Sequence, residues 1–403
     1  MTTRLPILDG YKQVITGLVS MKLSRFVNNI SFSPSQNDQV RSFIFLLLLT
    51  LLLVSCSDSF TTTSTIGPLD SPTVHSQPNT TPSIMATGNF HEYPLPQSNS
   101  GLMRPAIDHA GHIWFGEMGH NFLTVFDPHT QKFEQITPPF GHSGIMGVVV
   151  ANDDTVWFAE QYANYIGHYF PNTGQFQTYP LTTLSATDPS NSSKIITLPS
   201  APNDLALDKH GNIWFTEINA DALGRLDRQS GHIRQYPLSA NKRGQLNPYG
   251  IAVDPKGMVW FTESSTNRVG RLDPTTGQIR YITMQGVTKP LMEITCGANG
   301  IIWITSFSSG LLLSLNPNNG NFTSYYAPST SGIYGIAITP SGQVWVTIAA
   351  ENVIARLDVA ANRFIFYTIP TSGSLPLGVV AGANNTLWFT EAGSNKIGML
   401  WPS

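Results

Sequence analysis

Short apolar segments built around tryptophan recur through most of the chain. Each segment is apolar on both faces. Five of the seven end in glutamate, one ends in serine and one ends in isoleucine. A strand with this pattern belongs inside a stack of sheets, where each sheet packs between two neighbours. The seven segments are IWFGE at Trp114, VWFAE at Trp157, IWFTE at Trp214, VWFTE at Trp260, IWITS at Trp303, VWVTI at Trp345 and LWFTE at Trp388.

The spacing of these segments identifies the repeating unit. Successive tryptophans are separated by 43, 57, 46, 43, 42 and 43 residues, close to the length of a four-stranded propeller blade. Within residues 247–284 the strands are YGIAVD, MVWFTE, RVGRLD and QIRYIT, separated by short turns such as PKG and PTTG. The pattern predicts an all-β fold, a seven-bladed β-propeller of four-stranded blades across residues 89–403.

The two ends of the repeat region complement each other. After Trp388 the chain contains a third strand, KIGMLW, and then stops before a fourth. Residues 89–96, NFHEYPLP, match the fourth-strand pattern HIRQYPLS of another repeat. We therefore expect this N-terminal strand to complete the last blade and close the ring.

The N-terminal region has a different character. Residues 43–54, FIFLLLLTLLLV, follow Arg41 and are too short to span a bilayer as a helix, but have the length of a signal h-region. The run ends in Leu-Val-Ser-Cys, which resembles the lipobox of bacterial lipoproteins and marks Cys56 for lipidation. This predicts a signal segment over 1–56 and an exported protein anchored to the outer surface of a bacterial membrane. The alternative is an ordinary signal peptide or anchor with a chance cysteine.

The translation start and the segment after Cys56 are two further features of this region. The stretch before the apolar run is longer than a usual signal n-region, so translation starts either at Met1 or at Met21. Residues 57–88 are rich in Ser, Thr and Pro and poor in large apolar residues, which predicts a disordered tether.

Composition and charge exclude one class of partner. The chain has 22 basic and 25 acidic residues, a net charge of -3, and no basic stripe that would neutralise a phosphate backbone. We therefore expect no nucleic-acid partner. Only two cysteines occur, and if Cys56 carries lipid, Cys296 has no partner. Cys296 lies in an apolar stretch that favours a buried, inert thiol.

The repeat text resembles a known enzyme family. The runs NPYGIAVDPKGMVWFTE and WFTE followed by NRVGRLDPTTGQI look like the streptogramin B lyase (virginiamycin B lyase) family across residues 89–403. The resemblance implies a monomeric seven-bladed propeller that opens the lactone ring of a cyclic depsipeptide antibiotic by magnesium-assisted elimination. It also implies a histidine in a Glu-Pro-His-Gly segment at the start of an innermost strand, and a glutamate at the end of a neighbouring tryptophan strand.

The chain departs from that motif where the strands begin. None of the corresponding segments contains histidine, and none has glutamate before proline. They read Arg104-Pro105-Ala106, Ala201-Pro202-Asn203, Asn247-Pro248-Tyr249, Lys289-Pro290-Leu291 and Leu375-Pro376-Leu377, with Ile145-Met146 and Ile333-Tyr334 lacking proline. An elimination needs a base beside the proton that is removed, so the sequence predicts that no catalytic residue stands at the family position.

Glutamates end five of the tryptophan strands, and blade topology places them on one face, here called the top face. They are Glu117, Glu160, Glu217, Glu263 and Glu391, with Ser306 and Ile348 in the two other blades. One interpretation is a shared site for Mg²⁺ or Ca²⁺. The other, which the repetition favours, is a local role in which each carboxylate accepts hydrogen bonds from backbone N–H groups of its own loop.

Specific recognition is expected where the repeats differ. On the top face the differing residues are Asn203, Tyr249, Tyr334 and His120, which we take as candidate ligand-binding residues. The long spacing of 57 is caused by residues 181–200, a polar segment between blades that is either a lid or binding loop or a disordered insertion.

Two functional hypotheses from different classes follow. The first is a lipid-anchored binding or scaffold propeller that holds a small molecule, peptide or glycan at its top face. The second is an enzyme with relocated catalytic groups, either a lyase opening the lactone ring of streptogramin B-type antibiotics or a metal-dependent hydrolase. The absent Glu-Pro-His segment favours the first hypothesis, and the glutamates keep the second open.

Overall fold

The computed structural model describes residues 74–76, 83–188, 191–238, 245–288, 290–327 and 332–402. Seven antiparallel four-stranded blades form a ring, as predicted. The helical elements among the described residues are two short 3-10 turns. Cys56, the signal segment and the proposed lipid anchor lie outside the described residues. Within the described part of the chain no helix has the length and apolar character needed to cross a membrane.

Each blade contributes its strands from the channel outwards. The innermost strands are β4 (Ala106–Ile107), β8 (Ile145–Val150), β14 (Pro202–Leu207), β18 (Pro248–Val253), β22 (Leu291–Cys296), β26 (Ile333–Ile338) and β30 (Pro376–Ala381). The second strands are β5 (Ile113–Glu117), β9 (Val156–Glu160), β15 (Ile213–Glu217), β19 (Val259–Glu263), β23 (Ile302–Ser306), β27 (Val344–Ile348) and β31 (Leu387–Glu391). The third strands are β6 (Phe122–Asp127), β10 (Tyr165–Phe170), β16 (Ala222–Leu226), β20 (Arg268–Leu272), β24 (Leu311–Leu315), β28 (Val353–Asp358) and β32 (Lys396–Pro402).

The outer strands complete the blades. They are β7 (Lys132–Ile136), β11 (Gln175–Pro180), β17 (Ile233–Pro237), β21 (Ile279–Thr283), β25 (Phe322–Tyr326), β29 (Arg363–Thr368) and, for the last blade, β3 (Gly88–Pro94). We number the blades 1 to 7 in the order of their innermost strands β4, β8, β14, β18, β22, β26 and β30. The 3-10 turns are Ala349–Glu351 and Ala383–Asn385.

Repeated side chains explain why each blade has the same build. All residues of the second strands are buried, and in blades 2, 3, 4 and 7 the Phe that follows Trp packs over a glycine of the third strand. A Cβ added at Gly270 would overlap the ring of Phe261, and the same pairing recurs in other blades. In blade 4, Asp254 accepts hydrogen bonds from the Met258 backbone N–H and from the Trp260 indole N–H, at 3.0 and 2.9 Å. One aspartate therefore fixes both the turn and the tryptophan.

The ring closes as the sequence predicts. Strand β3 pairs antiparallel with β32 along its whole length, from Gly88 opposite Pro402 to Pro94 opposite Lys396. Two further segments lie upstream, within the range for which composition predicts a disordered tether. Strand β1 (Val74–Ser76) pairs in parallel with the outer strand of blade 5, and β2 (Ile84–Ala86) with that of blade 6. Backbone pairing requires little apolar surface, which is why composition does not reveal these strands.

The segment over 181–200 forms a β-hairpin between blades 2 and 3. Its strands are β12 (Leu184–Asp188) and β13 (Asn191–Leu198). At its base, Leu184 and Leu198 pack against Ala220 and Ala222 of blade 3. The hairpin is therefore an ordered extension of the top face.

Candidate functional site

The top of the central channel is filled by one residue from each blade. In six blades the second strand ends opposite the first residue of the innermost strand, as Glu263 does opposite Pro248, and in blade 1 Glu117 lies opposite Leu102, upstream of β4. The residue after that first position points to the axis, and the seven residues of this kind form what we call the channel ring. The channel ring consists of Met103, Met146, Asn203, Tyr249, Met292, Tyr334 and Leu377, all of them buried.

Polar members of the channel ring are bonded to one another. The hydroxyl oxygens of Tyr249 and Tyr334 are 2.5 Å apart. The Asn203 side-chain amide donates to the Tyr249 carbonyl oxygen at 3.0 Å, and Gln161 donates to the Asn203 side-chain oxygen at 3.3 Å. Three of the four candidate ligand-binding residues therefore lie together.

The fourth candidate, His120, does not belong to this group. Its Nε2 lies 2.5 Å from the carbonyl oxygen of Ser98, and its ring packs near Phe122. Both contacts are with residues of the blade surface, outside the channel ring. The structure therefore separates His120 from Asn203, Tyr249 and Tyr334.

A buried ion cluster lies one position further along the innermost strands. The Arg104 Nε is 2.9 and 2.8 Å from the two carboxylate oxygens of Glu293, and 3.5 Å from Asp204 Oδ1. The Arg104 guanidinium also lies 5.0 Å from the centre of the Tyr249 ring. This cluster links blades 1, 3 and 5 across the channel.

Burial and charge act against each other in this cluster. Burial raises the pKa of Glu293 to about 6, although Arg104 lowers it, and the nearby Asp204 raises it further. Burial likewise raises the pKa of Asp204 against the effect of Arg104. Burial disfavours the charge on Arg104, but Asp204 and Glu293 together keep its pKa above the ordinary value. The guanidinium is thus held as the charged partner of two carboxyl groups.

Sequence reasoning missed this cluster, although a signal for it exists. Four blades have glycine at this position, because neighbouring backbone lies too close for a side chain: a Cβ at Gly250 would lie 2.6 Å from the Met292 carbonyl oxygen. In the remaining blades the glycine is replaced by Arg104, Asp204 or Glu293. Three charged residues that replace a repeated glycine indicate side chains that project into the shared channel.

The strand-end glutamates have local partners. Four of them accept hydrogen bonds from side chains of their own blade, which are Thr124 and Gln135 for Glu117, Gln235 for Glu217, Thr266 and Arg268 for Glu263, and Ser394 for Glu391. The local role is therefore observed, but its donors are side chains where we expected backbone N–H groups. The donors lie on the third and fourth strands in some blades and, as Thr266 and Ser394, in the loop after the second strand in others.

Two of these carboxyl groups are strongly perturbed. Both carboxylate oxygens of Glu160 are buried and find no hydrogen-bond partner among the described residues, and burial raises the pKa of Glu160 to about 7. Burial, followed by the neighbouring carboxyl group of Glu92, raises the pKa of Glu391 to about 8. Blade 2 therefore contains an isolated carboxyl group, and blade 7 contains a pair.

The arrangement does not fit a divalent cation. The described residues contain no group of three or more His, Cys, Asp or Glu side chains that could hold a metal ion. The candidate metal ligands Glu117, Glu160, Glu217, Glu263 and Glu391 each lie in a separate blade. Within the part of the chain that the structure describes, these glutamates therefore do not form the cluster that a shared Mg²⁺ or Ca²⁺ site requires.

An apolar rim surrounds the channel ring on the top face. Partly exposed side chains pack against it from the loops, namely Met118, Ile218, Phe307, Leu375 and Ala392. The Phe307 ring meets the Tyr334 ring edge to face, with centroids 6.4 Å apart. The centre of the top face is thus an apolar surface over a bonded polar layer.

The closed ring of repeated blades and the channel-top site define a seven-bladed β-propeller of the streptogramin B lyase type. The chain belongs to the virginiamycin B lyase family, whose family model matches residues 73–286 and 277–403. Among curated proteins, none matches the chain.

Solved structures agree with this assignment. A streptogramin B lyase structure is 25% identical, with a TM-score of 0.69, and the match covers 78% of this chain and 98% of that chain. Virginiamycin B lyase from Staphylococcus aureus is 25% identical with a TM-score of 0.68, covering 78% and 99%. A catalytically inactive histidine-to-alanine variant of that lyase with quinupristin matches equally well.

A more distant match shows the fold alone. It is the extracellular domain of the putative hybrid two component system BT3049 from B. thetaiotaomicron, 18% identical with a TM-score of 0.58, covering 76% of this chain and 40% of that chain.

Proposed function

We propose that the chain is a ligand-binding propeller whose ligand sits on the apolar rim above the channel ring. The observation that carries this proposal is the composition of the channel ring, which includes no imidazole. Its polar groups, Asn203, Tyr249 and Tyr334, are already bonded to one another or to neighbours. An elimination needs a base of suitable pKa in reach of the substrate, and the buried Arg104 and Glu293 pair does not supply one.

The rim indicates the class of ligand. Its exposed surface comes from Met118, Ile218, Phe307 and Leu375, which favour an apolar or amphipathic small molecule or peptide over a highly charged one. The related S. aureus enzyme was crystallised with quinupristin. A streptogramin B-type cyclic peptide is therefore the first probe for this site.

One experiment separates binding from both kinds of catalysis. The purified protein is titrated with quinupristin by calorimetry, with and without Mg²⁺, and the ligand is then analysed by liquid chromatography and mass spectrometry. Saturable binding with unchanged ligand supports a binding propeller. A product of unchanged mass but altered retention identifies a lyase, because elimination opens the lactone without adding atoms. A product heavier by one water identifies a hydrolase.

A matched pair of variants locates the site. Phe307→Ala removes a rim side chain that packs on Tyr334 and should weaken binding about tenfold, as expected for an aromatic contact. Val359→Ala removes an exposed apolar side chain from the opposite face and should leave affinity unchanged. Equal losses in both variants would place the ligand elsewhere.

An enzyme with a relocated base is the second candidate, and Glu160 favours it. Its carboxyl group has no hydrogen-bond partner, and burial raises its pKa to about 7, in the range that suits a general base. If the assay yields a product, Glu160→Gln should abolish it while quinupristin still binds. Product formation that survives this substitution would exclude Glu160 as the base.

We further propose that the protein is exported and anchored through Cys56. The apolar run over 43–54 and the lipobox-like ending support this location. The intact mass of membrane-extracted protein should begin at Cys56 with a diacylglyceryl or triacyl adduct. A soluble chain that retains residues 43–54, or is cut elsewhere, would contradict the proposal.

A further inference from the structure

The last blade differs from the others in the origin of its outer strand. In blades 1 and 3 the outer strand carries Gln135 or Gln235 in the same register, and the amide donates to the strand-end glutamate, at 2.9 Å for Glu117 and at 2.8 Å for Glu217. In blade 7 the outer strand is β3, from the start of the chain, and the residue in this register is Glu92, opposite Gly398. A carboxyl group thus stands where blades 1 and 3 have an amide donor.

The surroundings of Glu391 show the result of this exchange. Glu391 is fully buried, and Ser394 Oγ donates to one of its oxygens at 2.6 Å, while the other, Oε1, has no hydrogen-bond donor of ordinary geometry among the described residues. A Cβ added at Gly398 would lie 2.8 Å from that oxygen, which places it beside the register position of Glu92. Two carboxyl groups therefore face each other at the seam of the ring.

The other polar groups at the seam act mainly on Glu92. Lys396 Nζ lies 3.6 Å from Glu92 Oε1 and donates to Thr371 Oγ1 at 2.6 Å. The Thr371 backbone N–H donates to Glu92 Oε1 at 3.3 Å. The charged groups that act on Glu391 are thus Glu92, which disfavours its ionisation, and Lys396, whose smaller effect favours it.

We propose that Glu92 and Glu391 form a pH-sensitive latch that holds strand β3 in the ring while one of the two carboxyl groups is protonated and loosens it when both are ionised. Two adjacent carboxylates in a buried site repel each other, whereas a protonated one donates a hydrogen bond to the other. Because Glu92 lies on β3, repulsion between the two carboxylates weakens the pairing of the strand that closes the ring. The latch therefore acts on closure, while blades 1 and 3 keep their amide donors.

The direction of the pH effect follows from the raised pKa of Glu391, about 8 against an ordinary value of 4.5. The folded ring binds this proton more tightly than the unfolded chain does. Its contribution to stability is therefore fully present below the ordinary pKa and is lost as the pH rises through about 8. Closure should be weakest in alkaline solution.

The test compares the full chain with Glu92→Gln and with Gln235→Glu. Glu92→Gln gives blade 7 the amide found in blades 1 and 3, and Gln235→Glu places a carboxyl pair in blade 3. Melting temperatures are measured from about pH 5 to about pH 9, and hydrogen exchange of β3 is compared with that of β7 at each pH. Differences between variants cancel the titration of groups elsewhere, including Glu160.

The expected results are specific to the seam. At about pH 9 Glu92→Gln should melt roughly 2–4 °C or more above wild type, and this gap should vanish near pH 5. Exchange in wild-type β3 should accelerate with pH relative to β7, and this change should be absent in Glu92→Gln. Gln235→Glu should acquire a new alkaline loss of melting temperature, with faster exchange in blade 3 and unchanged exchange in β3.

Three outcomes would overturn the proposal. One is a gap between wild type and Glu92→Gln that does not change with pH. Another is an alkaline increase in exchange that is equal in β3 and β7. The third is a Gln235→Glu variant whose melting has the wild-type pH dependence, because a carboxyl pair in that register would then have no effect.

Discussion

The strand-end glutamates and the channel ring both lie at the top face, but only the glutamates recur from blade to blade. The strand-end glutamates recur in five blades, and four of them accept hydrogen bonds from side chains of their own blade. The channel ring has no such repetition, since it mixes methionine, leucine, tyrosine and asparagine. Its polar members and the Arg104 cluster beneath it bond between blades.

The comparison separates two kinds of constraint. The glutamates are repeated because the same local hydrogen bonds are needed within each of these blades. A residue at the axis contacts residues of other blades, as Tyr249 contacts Asn203 and Tyr334, so its identity depends on what those blades contribute. Specific chemistry in this family member is therefore expected at the axis, whereas the glutamates maintain the blades.

The largest effect is expected from Arg104→Leu at the axis. This change leaves Asp204 and Glu293 buried without their counter-charge, which should lower the free energy of unfolding by about 3–5 kcal/mol in urea denaturation. Arg271→Leu is the control, because its guanidinium only lies over the Trp260 ring at 5.6 Å and should cost about 1 kcal/mol or less. Equal losses in the free energy of unfolding would show that the buried ion cluster at the axis stabilises the fold no more than the contact of Arg271 with Trp260 does.

A smaller loss is expected from Tyr334→Phe. The variant keeps the buried ring but leaves the Tyr249 hydroxyl without its partner, which should cost about 1–3 kcal/mol. Tyr325→Phe, in a buried ring that packs on Trp303, should change stability by only about 0.5 kcal/mol. The comparison would fail if both hydroxyl deletions had the same effect.

The strand-end glutamates should give modest, independent losses. Glu217→Gln weakens the contact with Gln235 and should cost about 1 kcal/mol in chemical denaturation. Glu263→Gln should cost about as much, and the double variant should be additive because the residues lie in different blades. Neither Mg²⁺ nor a chelator should alter these values. A melting temperature that rises with divalent cation and loses that response in one variant would restore the metal hypothesis.

The smallest effect at neutral pH is expected from Glu160→Gln, and it changes with pH. The pKa of Glu160 is raised from 4.5 to about 7, so its contribution to stability is present at low pH and is lost as the pH rises through 7. The variant should melt with wild type near pH 5 and above it near pH 8.5, as followed by calorimetry at about these values. A variant that melts lower throughout would mean that the carboxyl group has a partner in solution.

The fold could be predicted from the amino-acid sequence because the same residue pattern recurs in successive blades. The tryptophan strands, the turns and the closing strand at 89–96 all carry a pattern that several blades share, and all three predictions are confirmed. The grouping of Asn203, Tyr249 and Tyr334 follows from the same topology. Equivalent positions in a repeat can be aligned with one another from the residue pattern alone.

The remaining features depend on contacts that a repeat does not encode. The Arg104 cluster joins residues 100 and 189 positions apart in different blades. Its members can be found in the sequence where charged residues replace a repeated glycine, but the sequence does not indicate which of them pair. The predicted local role of the glutamates is observed with side-chain donors, which come from the third and fourth strands and from the loop after the second strand. His120 resembles a site residue by its neighbours in sequence, but its side chain turns to the Ser98 carbonyl.

The antiparallel seam between β3 and β32 also dictates the order of events during biosynthesis. The first strand of the propeller leaves the ribosome long before the last, yet the two must pair across the greatest separation in the chain. Six blades can assemble while β3 waits without its ladder partner. A nascent chain that has not yet reached residue 396 therefore carries blade 7 as an open edge, with β3 unpaired.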